Sequence, residues 1–420
     1  MQFFTRRNKD LLALFGGNAW ANIIYLTSFA IIGVILNPVE FGAFRVAQVY
    51  ISIAISVSML GLNTAITHQL PKMEGFQQEQ ALFLVRWVVI IGSIVAGVVT
   101  YFLTPTSNVA TVFWLEVIYF FSFPVTVVGA AILNVNLSSH QARGELVSYA
   151  KLHMQWKSMV FLLAVFGSLM GHSKIALIFM AVAYVVIYAA RREYDFLKFG
   201  KYFHGHTRAK TLKILFSSGF WPYASVCVSV IYGNIEFAYI DSSEVNSGVA
   251  GAYSLASLIF IGGCAFFMPL QTYAGSLVVN GKIGIKGLFK IQAICFFAVA
   301  GLAIIAYIFA FSLSLFFPVK FNPEFLFFAS LVSVKLAIWG GYAVIGSVLN
   351  FIDRGFEAFL LSILCLGFVF LASMWPGFSH SLFDIVKIQI ASGLILLVGC
   401  VFIVVFGWGN HNRPNSISIS

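Results

Sequence analysis

RREYDFLKFGKYFHGHTRAKTLK, running from Arg191 to Lys213, is the longest polar interval in a 420-residue chain that is otherwise mostly apolar. Seven basic residues (Arg191, Arg192, Lys198, Lys201, Arg208, Lys210, Lys213) stand there against Glu193 and Asp195. Long apolar runs lie on both sides. Lys and Arg cross a bilayer poorly during insertion and accumulate in cytoplasmic loops, so this stretch reads as a cytoplasmic connector between two halves of a membrane protein.

The composition agrees: 60% of residues are hydrophobic, 10% are charged, and the mean hydropathy is +0.93. No ordinary soluble domain approaches these values. The 45 Phe suit helices that face lipid, because a phenyl ring needs no hydrogen-bond partner. The net charge of +10 is concentrated in short loops, so topology explains it without a nucleic-acid partner. Cys227, Cys264, Cys295, Cys365 and Cys400 all fall within apolar runs and form no CxxC pair, which predicts buried free thiols. The basic N-terminal segment is followed by an apolar run too long for a signal peptide and without a small-residue cleavage site, so it reads as a retained first helix.

Dividing the chain at its polar, Pro and Gly interruptions predicts twelve spans: 11-36, 44-70, 82-103, 110-137, 154-170, 175-190, 214-240, 248-275, 290-315, 325-350, 357-375 and 384-408. The expectation is an all-α integral membrane protein. It comprises a six-helix bundle over 1-190, the connector 191-213, a second six-helix bundle over 214-408, and a tail 409-420. With an even number of spans both termini share a side, and alternating the loops puts most basic residues on that side, Lys151 and Lys157 among them. That predicts cytoplasmic termini. The halves echo each other. Asn37 to Tyr50, NPVEFGAFRVAQVY, matches Asn246 to Ile259, NSGVAGAYSLASLI, at Asn37/Asn246, Gly42/Gly251, Ala43/Ala252 and Ala47/Ala256. Six helices per half makes the repeats parallel, related by an axis along the membrane normal.

A helix that lines a wet cavity carries a polar stripe, and the predicted second span has one in Arg45, Gln48, Ser52, Ser56, Asn63 and Thr67. The first span offers Asn18, Asn22 and Tyr25, and the seventh offers Tyr232, Glu236 and Tyr239. Such groups also hydrogen-bond between packed helices, so a stripe has a structural alternative. Ionisable groups at membrane depth cost about 2.5 to 3.5 kcal/mol each on insertion scales and need a reason to persist. Lys335 lies ten residues inside its span, with Trp339 and Tyr342 at helical spacing. A cation beside aromatic rings suits a phosphate next to a sugar; the alternative is an internal pair with Glu116 or Glu236. Arg45 can bind substrate or snorkel to the headgroups. Glu236 and Glu116 are candidates for H+ or Na+ coupling, with a structural ion pair as their alternative. Asp384 and Lys387 are spaced as a local ion pair. His204 and His206 lack a third metal ligand, and no metal or cofactor is expected. No phosphate-binding GxxxxGK[ST] loop, HExxH or Ser-His-Asp arrangement occurs, which argues against an ATPase or a hydrolase.

Asn37 to Lys72, with Pro38, Glu40, Gly42, Gly61, Leu62 and Pro71, resembles the polysaccharide-transporter family, the Wzx-type O-antigen flippases of the MOP (MATE-like) superfamily. Residues 214-275 look like the start of that family's second lobe. The resemblance implies two six-helix bundles around a central cavity, alternating between inward-facing and outward-facing states in the bacterial inner membrane. It implies an undecaprenyl-pyrophosphate-linked oligosaccharide as substrate, membrane lipids as surroundings, and a polysaccharide polymerase and chain-length proteins as partners. On that reading Lys335, Arg45, Trp339, Tyr342, Gln48, Asn18 and Asn22 contribute to substrate binding. The first span has no carboxylate after Asp10, which speaks against a multidrug exporter that uses an acidic residue there. It has Asn18 and Asn22 where lipid II flippases tend to have arginines. An ion-coupled multidrug or small-solute antiporter is the second reading. A membrane glycosyltransferase or polysaccharide polymerase is a third, and it would need larger extramembrane loops than this chain has.

Overall fold

The computed structural model describes residues 2-105, 113-191, 208-279, 283-316, 322-349, 354-375, 377 and 381-411. These residues are almost entirely helical, in fifteen α-helices and one short 3-10 turn. They are α1 (Gln2–Ile35), α2 (Pro38–Ser58), α3 (Leu62–Gln69), α4 (Gly75–Leu103), α5 (Phe113–Ala142), α6 (Leu146–Ser168), α7 (Ser173–Arg191), α8 (Arg208–Gly233), α9 (Ile235–Ala238), α10 (Ser242–Ser247), α11 (Val249–Val279), α12 (Ile285–Phe316), α13 (Pro323–Leu349), α14 (Gly355–Ser373) and α15 (Leu382–His411). Twelve of them have at least 19 residues and each overlaps one predicted span; the second and seventh spans also take in the short α3 and α9. Eight are long and apolar enough to cross a membrane by length and composition. Shorter apolar stretches occupy Trp20–Ile35, Tyr223–Gly233 and Val249–Ala265. Most of the connector at 191-213, including His204 and His206, lies outside the described residues.

Packing divides the chain into two units: residues 1-230 with 240-258, and residues 231-239 with 259-420. The packing boundary thus cuts through the end of α8 and the first third of α11, C-terminal to the connector that the charges mark. In the first unit α1 packs along α6, with α4 on α5 and α6 on α7. Its core holds Phe29, Phe41, Phe44, Phe123, Trp156, Phe161 and Tyr184. In the second unit α13 packs on both α12 and α15, around Leu336, Val344, Cys365 and Ile385. Large apolar side chains are left on the outside, Phe316 at 77% exposure and Leu371 at 69%. That suits a hydrocarbon surround, where exposing a phenyl ring carries no hydration cost. All five cysteines are free.

Several helices are longer than their apolar cores. α6 begins at Leu146 rather than near 154, so Lys151 belongs to the helix, and Lys157, which the charge count grouped with the cytoplasmic side, stands halfway along it. The predicted second span is two helices. Leu60 (φ 47°) and Gly61 (φ 71°) adopt left-handed backbone, which a helix cannot continue through, and α3 restarts at Leu62. Its polar stripe is therefore interrupted. Ser52 and Ser56 donate to the carbonyls of Gln48 and Ser52, and Thr67 to that of Asn63, each within its own helix.

The start of α2 shows why its sequence has the residues it does. Asn37 caps the helix by accepting from the Glu40 N–H at 2.9 Å, and Pro38 takes the first-turn position where no donor is needed. Glu40 is 3% exposed, and its carboxylate accepts the Ser173 N–H at 2.7 Å, which places a negative charge on the N-terminus of α7. Gly42 meets the first turn of α11: a Cβ at Gly42 would lie 2.9 Å from the Gly251 nitrogen, and one at Gly251 would collide with the Pro38 backbone. The glycine pair matched between the two half-sequences is thus a helix crossing within one unit, where small residues let two backbones approach.

Candidate functional site

The first unit presents an aromatic cluster between α1 and α6, flanked by two cations. Tyr25 and Phe29, one turn apart on α1, lie 4.6 Å and 5.4 Å from the ring of Phe161 on α6. Arg45 of α2, only 2% exposed, has its guanidinium 4.9 Å from the Phe29 ring centre, and it donates to the side chain of Gln48, one turn on. On the other flank stands Lys157, halfway along α6. Its ammonium is 4.8 Å from the ring of Trp156, 5.4 Å from Tyr25 and 5.5 Å from Phe161. The Trp156 indole N–H donates to the Tyr184 hydroxyl at 3.0 Å, which fixes that ring. Cation–π contacts are worth about 0.5 to 2 kcal/mol each, and they do not neutralise the charge. Lys157 has no carboxylate at ion-pair distance among the described residues. Asn22 is half-buried and shares the α1 face of Tyr25 by its spacing; Asn18 lies on α1 as well, with its side chain outside the described residues.

The second unit places Lys335 in a different setting. α8 ends at Gly233, and the chain turns at Asn234 before the single turn of α9. Two carbonyls at this break take side-chain donors from other helices. The Gln389 amide donates to the Tyr232 carbonyl at 2.7 Å, and Lys335 approaches the Gly233 carbonyl at 3.4 Å. The Lys335 ammonium also pairs with Glu236 at 2.7 Å, both side chains being almost fully enclosed, and it sits 4.6 Å from the Phe260 ring. Lys335 thus stabilises a helix C-terminus and neutralises the adjacent carboxylate. Trp339 stands edge-on to Phe260 at 6.2 Å, so it joins the same group. Tyr342 is half-buried against the core of this unit, near Gly346.

Glu116, in the first turn of α5, pairs with Lys174 of α7. Lys174 also lies 5.6 Å from the Tyr119 ring. Lys387 and Asp384 form the short-range pair that their spacing predicts, at 3.3 Å. Sequence reasoning counted Lys157 with the basic residues of the cytoplasmic side, although it falls within the predicted span 154-170, and so did not weigh it as a site residue. The available signal was Trp156 followed by Lys157 just ahead of a long apolar run.

Long apolar helices, interrupted within the chain and carrying enclosed charged pairs, define a multi-pass membrane protein fold. No family profile and no curated protein matches the sequence. Solved structures do match across nearly the whole chain. The lipid II flippase MurJ, in an inward closed conformation, superposes with a TM-score of 0.70 at 12% identity, over 93% of this chain and 87% of that one. An outward-facing multidrug resistance MATE family transporter of the MOP superfamily gives 0.63 at 12% identity, covering 97% of both chains. A Vibrio cholerae MATE transporter in its bent form gives 0.59 at 17%, over 98% of this chain and 100% of that one. The chain therefore has the fold of the MOP-superfamily transporters, which lipid flippases and multidrug transporters share.

Proposed function

We propose that the protein is a flippase that moves undecaprenyl-pyrophosphate-linked oligosaccharide repeat units, of O-antigen or a related polysaccharide, from the cytoplasmic to the periplasmic leaflet. One observation carries this reading. The two carboxylates singled out from the sequence, Glu116 and Glu236, are each matched by a lysine, whereas Lys157 faces aromatic rings with no carboxylate partner among the described residues. A site for cationic drugs needs the opposite balance, an unmatched carboxylate. Surplus positive charge beside rings favours an anionic headgroup joined to sugars, while the lipid tail stays in hydrocarbon.

On this reading the protein sits in the bacterial inner membrane with both termini cytoplasmic, works by alternating access, and uses an H+ or Na+ gradient if any. A polysaccharide polymerase and chain-length proteins take the product onward. The test is deletion of the gene followed by measurement of surface polysaccharide, lipid-linked repeat units and drug susceptibility. The expected outcome is loss of surface polysaccharide with repeat units accumulating on their lipid carrier. Unchanged polysaccharide together with increased sensitivity to cationic drugs would support an antiporter instead.

A further inference from the structure

We propose that Lys157 and the rings of Tyr25 and Trp156 form the subsite that receives the pyrophosphate and the first sugar of the substrate, an assignment that rests on the flippase reading above. The chemistry predicted for Lys335 from sequence, a cation for phosphate and rings for the apolar face of a sugar, is found in the structure at Lys157. Lys335 already has Glu236 at 2.7 Å. Among the described residues Lys157 faces aromatic rings, at 4.8, 5.4 and 5.5 Å, and pairs with no carboxylate.

Three features make this a built site. The ammonium is central in α6 and enclosed by aromatic rings, so an anion there gains from weak screening. The Trp156 ring is fixed by its hydrogen bond to Tyr184, so a stacking surface is present before a ligand arrives. Tyr25 comes from α1, which packs along α6, so the subsite is made by two helices and responds to movement of either. A pyrophosphate oxygen can accept from the ammonium while a sugar ring stacks on Trp156 or Tyr25. The same group could be offered by the lipid-linked carrier or by free pyrophosphate.

Purified protein in detergent should be titrated calorimetrically with undecaprenyl pyrophosphate, with undecaprenol and with inorganic pyrophosphate. Binding of undecaprenyl pyrophosphate to the unsubstituted protein, at least tenfold weaker in Lys157→Gln and within about threefold of it in Lys157→Arg, is the expected result. Undecaprenol should not distinguish the three proteins, and comparison with inorganic pyrophosphate reports how much the lipid contributes. Lys157→Gln should unfold at the same temperature or higher, since it removes an unmatched charge from an apolar setting. Equal affinity of Lys157→Gln and the unsubstituted protein would overturn the subsite and leave the flippase reading standing. Absence of binding by the unsubstituted protein to either pyrophosphate probe would overturn both. A fall in unfolding temperature for Lys157→Gln with unchanged binding would assign Lys157 to structure.

Discussion

Lys335 has a predictable cost of removal. Both members of the Lys335–Glu236 pair are nearly enclosed, with 11% and 2% of their side chains exposed, so Lys335→Ala removes the paired cation from an enclosed carboxylate. Breaking such a pair costs about 3 to 5 kcal/mol, while removing both charges is close to neutral. Lys335→Ala should therefore lower the unfolding temperature of the purified protein sharply, and Lys335→Ala with Glu236→Gln should restore most of it. A double variant as unstable as the single one would show that the pair does not hold this unit. Lys174→Ala should cost less, because Glu116 retains 34% exposure and can be hydrated. Part of this was legible in the sequence. Lys335 lies ten residues inside its predicted span and has no carboxylate one turn away, so its partner had to come from another segment or from the substrate. Which carboxylate that was, Glu116 or Glu236, depends on which helices touch, and periodicity within one helix carries no such information.

Helix breaks were harder to read than helices. Apolar length identified the spans, but only the backbone shows that α2 stops at Ser58, with left-handed Gly61 ahead of α3, and that α8 stops at Gly233. A third irregularity lies in α13. The buried Gln292 of α12 accepts from the N–H groups of Val344 and Ile345, both at 3.0 Å, and donates to the Gly340 carbonyl at 2.6 Å. One side chain thus enters the backbone ladder of its neighbour beside Gly340 and Gly341. Gln292→Leu would remove that acceptor, at about 1 to 3 kcal/mol for each buried group left unpaired. The expected outcome is lower thermal stability and faster amide exchange at 344 and 345; unchanged exchange would show that the α13 backbone needs no such support. The crossing of α2 and α11 is stricter. Any side chain at Gly251 meets the Pro38 backbone, which cannot retract as a flexible side chain can. Gly251→Val should reduce membrane abundance, whereas Gly75→Val, where a Cβ would meet nothing within 4 Å, should not. Equal abundance of the two variants would contradict the close approach.

The whole molecule shares a fold with transporters only 12 to 17% identical to it, so general constraints are what the fold retains. Long apolar helices, polar loops and glycine at close crossings can be satisfied by many sequences, and they are also what hydropathy reads. Pairing between helices depends on which residues meet in the folded chain, which is why the spans were legible and the ion pairs only partly so. The orientation argued from basic loops predicts cytoplasmic signals for reporters fused after Lys201 and after Arg413, and a periplasmic signal after Ser243. A periplasmic signal at Lys201 would reverse the assignment of sides. The central claim, transport of a pyrophosphate-linked sugar lipid, is tested most directly in proteoliposomes containing the purified protein and a lipid-linked repeat unit in both leaflets. A membrane-impermeant glycosidase added outside reads the exposed fraction over time. The account predicts that digestion proceeds past the outer-leaflet pool toward completion, that protein-free vesicles stop at that pool, and that Lys157→Gln slows the second phase at least tenfold. Digestion that halts at the outer-leaflet pool in the presence of folded protein, under either an H+ or a Na+ gradient, would contradict it.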